Sequence, residues 1–428
     1  MRSTFRAGLC VWAAATALVI VVSFNDRVET DGVTEAVTGF DGESNGFAEE
    51  FCANQDSLVN SPNSPKIPSG GEDGCSYEAA VEEFAETDDI NEGIGPVFNA
   101  SGCGECHGTP ALGGSSQVNE RRAGFFDGFQ FFDHPGGSLI HDRAIDASIQ
   151  EVVLGRFTNV FAFRASQSIL GDGFVEAIDS NTLIAIANAQ PLSVRGQPIQ
   201  VPVLEKPDAN RTGRFGWKGQ HASLVSFSAD AYLNEMGITS PLQPDENSSN
   251  GNAVDAFDTV EDPDNDGVAV ELFALFMRST KAPPRDATLA ALPEAIAGSD
   301  LFNQLGCQLC HTRQIVTAPP GTLINGGALK VANALGNKRI RPFGDFLLHD
   351  VGTGDGIVQN GGPSTRNKVP TAPLWGLRAR GRFMHDGLSQ TLTDAIQRHG
   401  NQAAAARNAF NALGPANRAR LMAFLNSL

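Results

Sequence analysis

Two copies of one five-residue pattern, Cys103-Gly104-Glu105-Cys106-His107 and Cys307-Gln308-Leu309-Cys310-His311, constrain this chain more than any other feature. Cys-x-x-Cys-His is the attachment signature of c-type haem. Cysteines at i and i+3 fit on one helical turn, and the next residue can carry its imidazole across the macrocycle. A single copy could also be chance, a redox Cys-x-x-Cys or half a zinc site. Two copies, each closed by His, use four of the seven cysteines and leave no further pair to complete a zinc cage. The pattern therefore predicts two covalently bound haem c groups. Cys103, Cys106, Cys307 and Cys310 would form the thioethers, and His107 and His311 would be the proximal iron ligands.

The 428 residues leave room for two domains plus tails, and the motifs lie 204 positions apart, so one haem per domain is the simplest division. A formal charge of −18 argues against nucleic acid and anionic membrane surfaces as partners. It suits an acidic solubility surface, with steering of a basic redox partner as the alternative. Arg2 and Arg6 precede an apolar run from Ala7 to about Phe24, which reads as an export signal over residues 1–24. An uncleaved anchor is the competing reading. Export agrees with the haem motifs, and both point to the periplasm. In an oxidising compartment the spare Cys52 and Cys75 are expected to pair as a structural disulfide.

Residues 25–80 are acidic, poor in aliphatics and punctuated by Ser-Pro and Gly-Gly, the composition of a linker. A first haem domain is expected over 81–285, with a polar, acidic insertion near 240–267. Phe125, Phe126, Phe129, Phe131 and Phe132 read as core packing beside a large apolar cofactor. Helical periodicity from Val268 to Met277 stops at Lys281-Ala282-Pro283-Pro284, the candidate boundary. A C-terminal cytochrome c domain follows over 286–428. One helix around Leu301, Phe302 and Leu305 runs into the second motif, and a last helix carries Leu421, Phe424, Leu425 and Leu428 at i, i+3, i+4 and i+7. The fold expected is mainly α, with two cytochrome-c-like haem domains, the first enlarged by loops and short strands. Asp262, Asp264 and Asp266 match positions 1, 3 and 5 of a calcium loop, with Gly267 at 6. Position 12 is Phe273, so a solvated acidic turn competes with a weak calcium site.

Three blocks then carry a resemblance. The first is Pro370-Thr371-Ala372-Pro373-Leu374-Trp375-Gly376-Leu377, with Phe383-Met384-His385-Asp386-Gly387, Thr391-Leu392, Ala395-Ile396 and His399-Gly400. The second is Arg214-Phe215-Gly216-Trp217-Lys218, continuing to Glu235-Met236-Gly237-Ile238-Thr239-Ser240. The third is Leu347-Leu348-His349-Asp350-Val351-Gly352. Together with the haem motifs the chain resembles, over roughly residues 90–428, the di-haem oxidoreductases. These form a peroxidase or thiol-oxidoreductase family related to bacterial di-haem cytochrome c peroxidases.

The resemblance implies that the second haem receives electrons and that its distal ligand follows the His-Asp-Gly motif. His399 is the matching position, which would make this haem bis-His, with Met384 and Met422 as alternatives. For the first haem His141, His134, Met236 and His221 are all candidates. With none bound, that iron would be the peroxidatic one. Such a site needs an acid/base residue, for which Glu120 is a candidate. Trp217, and less so Trp375, would relay electrons between haems. Arg214, Lys218 and Arg382 would pair with haem propionates, while His349 and His385 would fix loops or propionates by hydrogen bonds. The function implied is a di-haem peroxidase fed by a periplasmic donor of small cytochrome or cupredoxin type and acting on a small oxidant. A non-catalytic electron carrier and a thiol or organic-substrate oxidase are the alternatives.

Overall fold

The computed structural model describes residues 32–70 and 74–428; the export-signal run lies outside the described residues. The described chain is mainly helical with several short strands. Its largest core forms around the Val268–Ser279 helix, whose apolar residues occupy every side. That helix packs against helices Phe47–Leu58, Tyr77–Ala85, Asp172–Glu176 and Leu224–Ala231. Phe276 stacks on Phe84 at 4.3 Å between ring centroids, and Phe273 meets Tyr232 edge-on. Its two charges are buried with it, and Arg278 pairs with Glu176 at 2.7 Å.

The stretch expected to be a linker is structured. Phe47 and Phe51 stand one turn apart on the Phe47–Leu58 helix and both face the core, so two aromatic rings do what the missing aliphatics would have done. Thr34–Glu35 adds a parallel strand to Lys338–Ile340. The Asn45 amide donates to the Arg278 and Thr280 carbonyls, and Cys52 is joined to Cys75 as a disulfide.

The second, smaller core is the helix crossing expected around the second motif. Pro293–Gln304 packs on Pro415–Leu425, with Phe302, Phe343, Phe410, Leu421 and Phe424 between them. Gly298 permits the contact, since a Cβ there would fall 1.9 Å from the Arg420 carbonyl oxygen. The core does not divide at residue 285, however. Ile315, Ile324, Leu329, Ile340 and Leu347 all join the larger core.

A four-stranded antiparallel sheet walls the first Cys-x-x-Cys-His segment: Asn119–Phe126 lies between Val160–Ala165 on one side and Phe131–Asp133 and Leu139–Ile140 on the other. Alternation puts Glu120, Arg122 and Arg164 on its inner face. Phe125, Phe132, Phe161 and Phe163 point outward and are exposed. The aromatic cluster is therefore not core packing: Phe129 is 90% exposed and only Phe131 is buried. Strand period 2, rather than hydrophobicity, decides which of these rings is inside. Residues 240–267 contain neither helix nor strand. Among the described residues no helix is long and apolar enough to cross a membrane.

Candidate di-haem site

Each Cys-x-x-Cys-His segment folds as one tight helical turn, Cys103–Glu105 and Cys307–Leu309. In both, the first cysteine's carbonyl accepts from the N–H of the histidine at 3.0 Å, so two different intervening dipeptides give the same presentation. The histidines are held alike. His107 Nδ1 donates to the Gly114 carbonyl at 3.1 Å and His311 Nδ1 to the Phe343 carbonyl at 3.0 Å, so Nε2 is the nitrogen each ring would offer a metal. Burial, and then the neighbouring His399, push the His311 imidazole down to about 4, so it stays neutral as a ligand must. Burial also lowers His107.

The second motif opens on a cavity of about 560 Å³. His399 stands across it from His311, with ring centroids 6.4 Å apart and planes at 48°. Half of 6.4 Å, less roughly 1 Å from ring centre to nitrogen, leaves about 2 Å, the length of an imidazole–metal bond. His399 Nδ1 donates to the Ala395 carbonyl at 2.8 Å, again leaving Nε2 free. Ala395, Ala403, Ala405 and Ala406 keep that wall low. The residues present therefore fit a planar iron cofactor. Met384 also lines this cavity, whereas Met422 packs against the C-terminal core and Thr393.

The first cavity, about 250 Å³, contains His107 and no other histidine. His141 is turned away, its Nδ1 on Glu151 at 2.9 Å and its Nε2 on the Asn234 carbonyl at 3.1 Å. His134 is engaged by the Leu154 N–H, and His221 lies 2.9 Å from Asp230. Met236 does line the cavity, as does Met277. The polar wall is Glu120, Arg122, Arg164 and Glu235. Arg122 grips Glu120 through two bonds of 3.0 and 2.9 Å. Burial alone would raise Glu120, but the Arg122 and Arg164 charges hold it below the usual carboxylate range. Glu235 moves the opposite way: burial, and then the charge of Glu120, raise it well above that range. The result is a carboxylate beside a carboxylic acid. Neither Glu235 nor Arg122 was singled out from sequence. The alternation Glu120-x-Arg122 on a strand was a usable signal for Arg122, but only folding brings Glu235 to it.

The two cavities share a wall formed by Ala165, Ser166, Trp217, Pro370, Thr371 and Arg380. The Trp217 indole N–H donates to the Ala165 carbonyl at 2.6 Å, and its ring meets His385 edge-on at 6.0 Å. Trp375 is buried away from both cavities. Arg214 and Lys218 are not free for propionates. Arg214 binds the Val175, Ile178 and Thr212 carbonyls, and Lys218 binds Asp355 and three carbonyls. Arg382 lines the second cavity, and the half-buried Arg380 lines both. His385 also lines the second cavity, its Nδ1 buried without a partner, while His349 is bonded to Asp345 at 2.9 Å. In the acidic loop Asp262 and Asp264 converge on Thr239, but Asp266 accepts from the Val268 N–H instead, and Phe273 is buried in the central helix. The Asp262–Asp264–Asp266 set therefore does not form a calcium loop.

Over residues 143–428 the chain matches the family described as "Di-haem oxidoreductase, putative peroxidase". Among curated proteins none matches. Three solved structures are similar at 15% identity. They are hydrazine synthase of Kuenenia stuttgartiensis (93% of this chain, 97% of that one, TM-score 0.40), a MauG-like protein associated with microbial copper homeostasis (87% and 93%, 0.39), and the dihaem peroxidase BthA of Burkholderia thailandensis (87% and 89%, 0.39).

Proposed function

The chain belongs to the di-haem oxidoreductase family, and on that premise we propose that it is an exported, peroxidase-like c-type enzyme in which electrons enter at the second site and reach the first. Cys103, Cys106, Cys307 and Cys310 would anchor two haems covalently, with His107 and His311 as proximal ligands and His399 as the sixth ligand of the second. When bound, the haems supply electron storage and peroxide reduction, which consumes two electrons and two protons per peroxide.

The observation that carries this reading is the asymmetry of the cavities. One has an imidazole facing His311; the other has no second imidazole and instead a half-buried acid–base pair. Glu235, held protonated, is placed to donate a proton, and Glu120, kept ionised by Arg122 and Arg164, to accept one. Trp217 belongs to both walls and is the relay between them. The Cys52–Cys75 disulfide, the apolar N-terminal run and the haem motifs together support the periplasm. The donor is a small acidic redox protein of cytochrome or cupredoxin type, because the part of the chain that holds the second site is basic.

Resting-state EPR of the holoprotein tests the proposal. The expected spectrum combines a low-spin bis-His signal with a high-spin ferric signal, and only the latter responds to peroxide. Two low-spin, peroxide-silent irons would make the protein a carrier. His399→Ala should abolish the low-spin signal of the second site and leave the first unchanged.

A further inference from the structure

The four-stranded sheet beside the first cavity has two unlike faces. Glu120, Arg122 and Arg164 stand on the inner one, at the cavity. On the outer one the register sets Phe125 directly across from Phe132, and Phe161 and Phe163 across from Ala123 and Arg121. Phe161 and Phe163 meet edge-on at 5.1 Å between ring centroids. Phe129 sits in the turn that joins Phe126 to Phe131, at the end of the same strands. Arg121, at the margin of this face, is neutralised by Asp142.

Strand alternation explains why the rings lie together, but not why they are left in water. A phenylalanine has about 200 Å² of side-chain surface. With Phe125, Phe132, Phe161 and Phe163 at 37–47% exposure and Phe129 at 90%, roughly 500 Å² of aromatic surface is open to solvent. An apolar area of that size is where a soluble protein meets something else.

The character of the face points to a second copy of this chain. A partner selected by charge finds no uncompensated charge here to recognise. A two-fold contact sets a patch against itself, so a charged patch would repel its own image, whereas aromatic rings pack edge-on with their own kind. Copies of a chain with a charge of −18 repel one another, and an uncharged face is where two can approach. Two such faces would bury about 1,000 Å² of ring surface, which reaches the size a specific interface needs before its polar rim is counted.

We propose that this face is the interface of a two-fold symmetric homodimer, packed sheet against sheet. The two first cavities would then lie back to back, each walled by the strands whose outer side makes the contact. Neither cavity's chemistry is needed for the copies to associate.

Light scattering and sedimentation of the holoprotein test this, and twice the mass of one chain is expected. Phe132→Glu and Phe161→Glu would each bury an unpaired carboxylate in the contact, and both should be monomeric with unchanged circular dichroism. Leu192→Glu also places a charge at an exposed apolar position, but outside the sheet, and should remain dimeric. Hydroxyl-radical footprinting of the parent needs no variant: the five rings should be labelled less as rising concentration fills the dimer. A parent that is monomeric at every concentration would overturn the proposal and leave the face to a different protein. Dimers that survive both Phe variants, a monomeric Leu192→Glu, or ring labelling that ignores the degree of association would overturn it equally.

Discussion

Glu176 is enclosed completely and receives Arg278 through two bonds of 2.7 and 3.0 Å, with the Leu224 N–H and the Asn325 amide as further donors. Burial by itself would raise its carboxyl, but the Arg278 ion pair and these donors hold it at about 2 instead of 4.5. Because the folded value is depressed, the stabilisation is fully present above about 4.5 and is lost as pH falls toward about 2. Glu176→Gln strands a buried guanidinium and should cost about 3–5 kcal/mol at neutral pH by chemical denaturation. The variant should also lose less stability than the parent between about pH 5 and 3. At this scale the sequence showed which residues could act but not which were free to. His141 and Met236 were equal candidates by sequence. The fold occupies both nitrogens of one and leaves the other against the cavity. Arg214 and Lys218 were legible as cations, yet Arg214 is spent on backbone carbonyls and Lys218 on carbonyls and Asp355, most of them distant in sequence.

Among the elements, the two Cys-x-x-Cys-His turns and the terminal helix crossing were readable because their signals are local: fixed Cys–His spacing and a 3.6-residue apolar repeat. The sheet was not. Its Phe-rich strands are hydrophobic on the face that looks outward, so composition pointed the wrong way and only pairing register corrects it. The helix crossing offers a clean test. In an ordinary helix interior Gly→Ala stabilises by about 1 kcal/mol. Gly298→Ala should instead destabilise, by about 1–3 kcal/mol, because the added methyl meets the Arg420 carbonyl. A raised melting temperature in that variant would show that the two helices do not approach as closely as described. The Tyr232–Met236 turn is wound more widely than an α-helix. That widened turn carries Tyr232, Glu235 and Met236 into the first cavity.

For the whole molecule, the charge of −18 conceals a division. Residues 286–428 carry 14 Lys and Arg against 8 Asp and Glu, a net of +6, so the preceding residues hold −24. The cavity with facing histidines lies in the basic part, with Arg382 exposed beside it and Arg407 at its wall. Total charge alone left steering of a basic partner open; the proposed entry of electrons at the second site calls for an acidic one. An acidic donor is expected to reduce the holoprotein at a rate that falls as ionic strength rises. Arg382→Glu with Arg407→Glu should slow that reduction at low salt and flatten its salt dependence, measured by stopped-flow absorbance. A rate that climbs with salt would contradict donor entry at this surface.

The amino-acid sequence alone marked out two Cys-x-x-Cys-His turns, the family, and His399 as the residue that stands opposite His311. Each of these rests on residues close together in the chain or on a motif of fixed spacing, where covalent geometry leaves little freedom. Only the tertiary structure decided which cavity lacks a second imidazole, that Glu235 stands beside Glu120, that Trp217 rather than Trp375 is common to both walls, and that Glu246, not Asp266, lies close to Asp262 and Asp264. Those facts depend on packing between segments more than a hundred residues apart, or on a loop without periodicity, and no local rule encodes them. The two Cys-x-x-Cys-His turns are near copies of each other. What surrounds them differs: one cavity sets His399 opposite His311, and the other holds Glu120, Arg122 and Glu235 with no second imidazole.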